Sequence, residues 1–180
     1  TQTRVVKEIV AGTYERLHNR VLASVIQKNL ELVGGVNYDE RERKLAEGIV
    51  KTLGLGDTIL ARAAQVQPLA PAPKEGSGGS SDVGDVSWNV PTVSIGTATF
   101  VPGAPGHSWQ NVAVDGTTIG TKGLINAAKA FSLTAIDLFN NPKLLQQARE
   151  EFDRARGEGF VYESLLGDRK PALDYRKTNK

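Results

Sequence analysis

A long amphipathic segment in the second half of the chain constrains the fold more than any other feature. Thr117 or Thr118 can cap its start. Its apolar residues recur at intervals of three and four, the spacing of one face of an α-helix: Leu124, Ala128, Phe131, Ala135 and Leu138. The pattern therefore predicts a long helix that packs into a globular core by this face.

Three other segments also predict helices. Asn19 is suited to cap a helix whose apolar residues continue to Gly34. Asp39 and Glu42 have the spacing of a capping box, so a second helix should begin there. Pro142 follows an asparagine and fits the first turn of a final helix.

Two aliphatic segments, at residues 5–11 and 91–100, predict β-strands. The second alternates Val93 and Ile95 with small or polar residues. Because strands and helices alternate along the chain, the sequence favours an α/β fold. Residues 5–11 have no neighbouring strand in the sequence, so we expect the chain to begin in the middle of a fold.

Composition excludes several classes of partner. The chain has 22 basic and 20 acidic residues, and the basic ones cluster only in the tail, so we expect no nucleic-acid partner. No apolar run approaches the roughly 18 residues of a membrane span, so we expect no membrane segment. The absence of cysteine excludes disulfides and thiolate metal ligands, and it suits a cytoplasmic protein.

His107 is the first candidate for chemistry. It lies between Gly106 and Ser108 in a loop after a predicted strand, where a flexible backbone can aim an imidazole into a cleft. Such an imidazole can bind a metal or transfer protons, and the alternative is an ordinary surface residue. The other histidine, His18, lies beside a predicted helix cap and is interpreted as an exposed turn residue.

Two aspartates and two tryptophans flank this region. Asp82 and Asp85 share a face if their segment is helical, where they can orient an imidazole or bind a cation. The alternative is helix capping after residues 65–81, whose composition predicts a flexible loop. Trp88 and Trp109 can wall a pocket for a planar substrate, and the alternative is a place in the core.

Ordered motifs carry a family resemblance. They lie at residues 79–88 (GSSDVGDVSW), 90–92 (VPT), 105–110 (PGHSWQ) and 122–129 (KGLINAAK). Together they resemble the aminobenzoyl-glutamate utilisation protein B group of the co-catalytic metallopeptidase family, which includes aminoacylases, carboxypeptidases and indole-acetyl-amino-acid amidohydrolases. Upstream segments between residues 12 and 34 are similar to the same family, so the resemblance covers about residues 5–155.

The resemblance implies a domain organisation. Members of this family have a catalytic α/β domain, a mixed sheet flanked by helices, which is interrupted by a smaller lid domain that makes the dimer. By this resemblance, residues 1–17 contain the last strand of the lid or dimerisation domain. Residues 18–157 are the C-terminal half of the catalytic domain, and residues 158–180 are a polar tail.

The resemblance also implies hydrolysis of the amide bond of an N-acyl or N-aroyl amino acid such as p-aminobenzoyl-glutamate. Two divalent metal ions, zinc or manganese, would be the cofactors, and His107 matches the family's final metal ligand. The general base and the other ligands are expected before Thr1, which leaves no catalytic residue in this chain. Four residues are expected beside the site or in its pocket: Asp82, Asp85, Ser108 and Trp109.

In this interpretation the chain is a fragment of a metal-dependent amidohydrolase. It would act with a missing N-terminal half and form a homodimer, or a heterodimer with a related subunit. The alternative is a truncated, non-catalytic relative that binds a partner subunit and holds no metal.

Overall fold

The computed structural model describes residues 2–71, 81–170, 173 and 176. Within these residues none of the helices is both long and apolar enough to cross a membrane. The helices are α1 (Arg20–Val33), α2 (Glu40–Thr52), a 3-10 helix (Asp57–Ala64), α3 (Val83–Ser87), α4 (Trp109–Asp115), α5 (Thr118–Asn140) and α6 (Pro142–Arg156).

The predicted α/β fold, with a mixed sheet and a last lid strand, is wrong for the described part of the chain. No described residue belongs to a strand, and residues 5–11 and 91–98 run without helix, turn or bend. A strand is defined by hydrogen bonds to a neighbouring chain segment. Neither aliphatic segment has such a neighbour among the described residues, so their composition produces an unpaired chain instead of a sheet.

The four helices predicted from the sequence, α1, α2, α5 and α6, are present, whereas the 3-10 helix and α4 were not predicted. The Asn19 side chain accepts a hydrogen bond from the backbone N–H of Leu22, at 3.0 Å, and starts α1. Asp39 and Glu42 form the predicted capping box at the start of α2, with both reciprocal hydrogen bonds present. The Thr117 hydroxyl caps α5 with a single hydrogen bond, accepted from the backbone N–H of Ile119 at 3.3 Å. Of the predicted loop at residues 65–81, residues 72–80 lie outside the described residues.

Helix α1 is held between α5 and α6. The Glu151 carboxylate of α6 accepts the first two backbone N–H groups of α1, from Arg20 at 2.9 Å and Val21 at 2.8 Å. A negative charge at this position also complements the positive end of the helix dipole. A separate apolar cluster joins α2, the 3-10 helix, the loop residue Val101, the end of α4 and the start of α5: Ala46, Ile49, Val50, Leu60, Val101, Val114 and Ile119.

The face of α5 that the apolar stripe predicted to be buried is in fact exposed. Leu124 is 65% exposed and Phe131 is 46% exposed, whereas Ala130 and Thr134 are buried. The small residue Gly123 decides this orientation, because a Cβ there would lie 2.6–2.8 Å from backbone atoms of residues 98 and 99. Beyond Ile119, which is buried in the apolar cluster, α5 therefore packs by its small and polar side and leaves Leu124, Phe131 and Phe139 largely exposed.

This close approach predicts opposite effects of alanine at two helical glycines. We expect Gly123→Ala to destabilise the chain by about 1–3 kcal/mol, since the new methyl group would force rigid backbone apart. Gly48, in α2, has open space around its Cβ direction. There the same substitution should stabilise the chain by about 0.5–1 kcal/mol through helix propensity. Urea unfolding of both variants measures the difference, and equal effects would contradict the packing of α5.

Candidate functional site

His107 lies in a short loop that the following helix holds in place. The Ser108 hydroxyl donates to the carbonyl of Pro105 at 2.8 Å and accepts the backbone N–H of Asn111, which caps α4. The side-chain amide of Asn111 donates to the same carbonyl of Pro105, also at 2.8 Å. The loop on both sides of His107 is thus tied to the first turn of α4.

The backbone of His107 has an uncommon conformation. Its φ is +55°, and no other described residue except glycine has a positive φ. Such a left-handed conformation costs a non-glycine residue on the order of 1–3 kcal/mol and persists only where its surroundings impose it. The imidazole is exposed and makes no hydrogen bond to a described residue. The loop therefore fixes the backbone of His107 and leaves its imidazole exposed.

The described residues alone do not form a metal centre. No group of three or more histidine, cysteine, aspartate or glutamate side chains comes together among them. A protein site for zinc uses at least three such ligands. A single imidazole does not meet that requirement, so the described residues by themselves cannot hold the two metal ions that the resemblance implies, and His107 could supply at most one ligand.

The two aspartates have partners other than His107. The Oδ1 atom of Asp85 accepts the hydroxyl of Tyr162 at 2.8 Å. This hydrogen bond to Asp85 raises the pKa of the Tyr162 hydroxyl, as does partial burial. Asp82 is exposed and precedes α3 without a side-chain cap, and its carboxylate accepts the hydroxyl of Ser81 at 3.3 Å. No described hydrogen bond or ion pair joins either carboxylate to His107.

The tryptophans lie in different environments. Trp109 is 59% exposed at the start of α4, beside His107 in sequence. Trp88 packs against Tyr14 and Phe160, with ring centroids 5.6 and 4.7 Å away, and its indole N–H donates to the carbonyl of Glu15 at 2.7 Å. The Trp88 ring therefore connects its own segment with the segments around Tyr14 and Phe160. This is a packing role, which agrees with the alternative of a place in the core.

A buried ion pair was not anticipated from the sequence. Glu42 is 3% exposed, and its Oε2 accepts both the backbone N–H of Asp39 at 2.8 Å and the ammonium of Lys122 at 2.5 Å. Burial would raise the pKa of this carboxyl group, but its hydrogen bonds, led by that from Lys122, hold the pKa below its usual value. Burial and the nearby Glu42 charge raise the pKa of Tyr38 to about 12. The capping-box spacing indicated Glu42, but nothing local indicated Lys122, 80 residues away.

Comparison with known proteins adds one relative. No protein-family model and no solved structure matches the chain. The chain is similar to one subunit, designated B, of p-aminobenzoyl-glutamate hydrolase from Escherichia coli (strain K12), with 36% identity over 176 residues. The match covers 84% of this chain but 36% of the relative, so the chain spans about a third of the relative's length. Over the aligned residues, the chain belongs to the aminobenzoyl-glutamate utilisation protein B family.

Proposed function

We propose that this chain is part of a subunit that hydrolyses the amide bond of p-aminobenzoyl-glutamate or of a closely related N-acyl amino acid. The observation that carries this proposal is the 36% identity, over most of the chain, to a relative named as a subunit of that hydrolase. Hydrolysis adds water across the amide bond and releases an aminobenzoate and glutamate. The rest of the subunit would supply the groups that the chain lacks.

His107 is the residue through which we propose that the chain enters the active site. Its imidazole is exposed, and the loop fixes its backbone in a strained conformation through Ser108 and Asn111. Strained backbone of this kind occurs preferentially at functional sites. Neutral imidazole is a common ligand of zinc and manganese, and such a centre would polarise the amide carbonyl when complete. The other ligands and the general base would come from polypeptide outside this chain.

The second candidate function is a non-catalytic subunit that binds a partner. It is favoured by the absence of a metal-binding cluster among the described residues and by the exposed apolar face of α5. In that case His107 would be dispensable, and association would depend on apolar contacts. The two candidates therefore differ in what the chain contributes to an assembled hydrolase.

A segment exchange separates them. The chain replaces the matching third of the Escherichia coli subunit. The resulting hybrid subunit, combined with the remaining subunit or subunits of that hydrolase, is assayed for release of p-aminobenzoate from p-aminobenzoyl-glutamate, and the unchanged Escherichia coli subunit is the positive control. We expect hydrolysis by the hybrid and none by the chain alone, because the chain lacks a complete donor set. A hybrid that folds, as judged by circular dichroism and a cooperative thermal transition, but does not hydrolyse the substrate would contradict the catalytic proposal.

A further inference from the structure

Asn111 is a buried polar residue whose hydrogen-bonding capacity is only partly used. It lies in the first turn of α4 and is 6% exposed. Its side-chain Nδ2 donates to the carbonyl of Pro105, whereas its Oδ1 is buried and accepts no hydrogen bond from a described residue. A buried polar group that lacks a partner destabilises a fold relative to an apolar side chain of similar shape. Stability alone therefore does not favour an asparagine at this position.

The bond from Asn111 to Pro105 closes a ring of chain around His107. Pro105 precedes His107 by two residues, and Asn111 follows it by four. Because the bond fixes the distance between the two ends of the ring, it limits the backbone conformations of the residues inside. His107 has a φ of +55° in this ring, and a non-glycine residue keeps such a conformation only where its surroundings impose it. The Asn111 side chain is in a position to impose it.

The second donor to the same carbonyl is less suited to this task. The Ser108 hydroxyl also donates to the Pro105 oxygen, at 2.8 Å, but this bond lies at an exposed position. Water can replace an exposed hydrogen bond, so the net contribution of such a bond is small. The Asn111 side chain is buried, so water does not compete for its bond in the same way. Of the two donors, Asn111 is therefore the one that holds the loop.

We propose that Asn111 is a positioning residue, which sets the backbone conformation of His107 at a cost in stability. The inference rests on the proposed function, because that function gives His107 a role in the reaction. Natural proteins depart from the rules of stable packing mainly at functional sites. The half-satisfied amide of Asn111 is such a departure beside the candidate site, and it acts through His107.

Asn111→Leu separates conformation from stability. Leucine has the branched shape of asparagine but neither the N–H donor nor the unpaired oxygen. We expect the thermal midpoint of the full chain to stay the same or rise, while His107 shifts toward a negative φ, because a left-handed backbone is unfavourable once the ring is open. Nuclear magnetic resonance measures the shift. A positive φ brings the amide proton of His107 close to its own Hα, and the strong Overhauser cross-peak between them should weaken in the variant.

Gln110 provides the matched control in the same turn of α4. It is 8% exposed, and its amide donates to the hydroxyl of Thr52 at 3.4 Å instead of to the loop. Gln110→Leu should therefore keep the strong cross-peak of His107. A strong cross-peak in Asn111→Leu, or weak cross-peaks in both variants, would overturn the inference. So would a thermal midpoint of Asn111→Leu well below that of Gln110→Leu, since Asn111 would then serve stability. If Asn111→Leu does not fold, the cross-peak of Asn111→Ala decides.

The hybrid subunit tests the consequence for the reaction. There Asn111→Leu should lower kcat at least about tenfold and change KM by less than about twofold, since a small misplacement of a reacting group slows the chemical step. Gln110→Leu should leave both constants unchanged. An active hybrid whose kcat does not respond to Asn111→Leu would refute the positioning role and leave the proposed function intact. An inactive parent hybrid would refute the proposed function, and the cross-peak in the full chain would still decide whether Asn111 sets the conformation of His107.

Discussion

His107→Asn should reduce the rate of amide hydrolysis by the hybrid subunit at least about 100-fold. Loss of a residue that supports a metal ligand typically costs 10–100-fold in affinity or activity, and loss of the ligand itself should cost no less. Asparagine is chosen because it tolerates a positive φ, as His107 requires, so the variant removes the imidazole without adding backbone strain. The measurement is kcat/KM for p-aminobenzoyl-glutamate.

The control for this variant is the other histidine of the chain. His18 is exposed and makes no described hydrogen bond with its side chain, so His18→Asn should leave the rate unchanged. His107→Ala should lose at least as much activity as His107→Asn and some stability in addition. If His107→Asn kept more than half of the parent rate, His107 would not be a ligand, and the partner-binding function would be favoured.

Among the substitutions proposed here, Lys122→Met should reduce the free energy of unfolding the most. Removing one partner of a buried ion pair leaves an uncompensated charge, which typically costs 3–5 kcal/mol. Lys122 itself is 39% exposed, so we expect the lower end of that range, about 3 kcal/mol. For a chain of this size the midpoint of thermal unfolding should fall by roughly 6–12 °C.

The pH dependence of this loss follows from Glu42. The pKa of the Glu42 carboxyl group is lower in the folded chain than the 4.5 of the unfolded chain. The ionised carboxylate therefore stabilises the fold above pH 4.5, and this stabilisation is lost as the pH falls through the pKa of the folded state. In Lys122→Met the effect of burial should dominate and raise the pKa of Glu42. The difference in free energy of unfolding between the parent and Lys122→Met should therefore be greatest near neutral pH and should shrink below about pH 4.

Lys129 provides a matched control on the same helix. It is exposed on α5 and pairs with no acidic side chain among the described residues, so Lys129→Met should change stability by less than about 0.5 kcal/mol. Urea unfolding of the parent and both variants at neutral and acidic pH measures these differences. A loss in Lys122→Met that is small, or that does not depend on pH, would contradict the structural role of the buried pair.

The helix boundaries were predictable because they depend on neighbouring residues. Asn19 and Asp39 each bond to an amide three residues ahead, and a sequence shows such spacing directly. The strand predictions failed because a strand requires a partner elsewhere in the chain. The buried face of α5 could not be predicted from apolar spacing. The backbone of residues 98 and 99 lies so close to Gly123 that only the face of α5 with small side chains can pack there.

The candidate site was predictable only in part. Its position in a loop and the family resemblance both indicated His107, but its positive φ depends on Ser108, Asn111 and the carbonyl of Pro105 acting together. The partner of Asp85 is Tyr162, 77 residues away, and no local pattern connects them. The roles of Asp82, Asp85, Ser108 and Trp109 beside a metal site, and the domain boundaries at residues 17 and 157, stay predictions.

Anomalous X-ray scattering from crystals of the hybrid subunit, recorded at the zinc and manganese edges, tests the central claim most directly. It locates the metal without relying on activity. The proposed function predicts a peak about 2.0–2.1 Å from an imidazole nitrogen of His107, if the metal is zinc, with the remaining ligands contributed by polypeptide outside this chain. An active hybrid in which the metal is bound elsewhere and His107 faces solvent would contradict it.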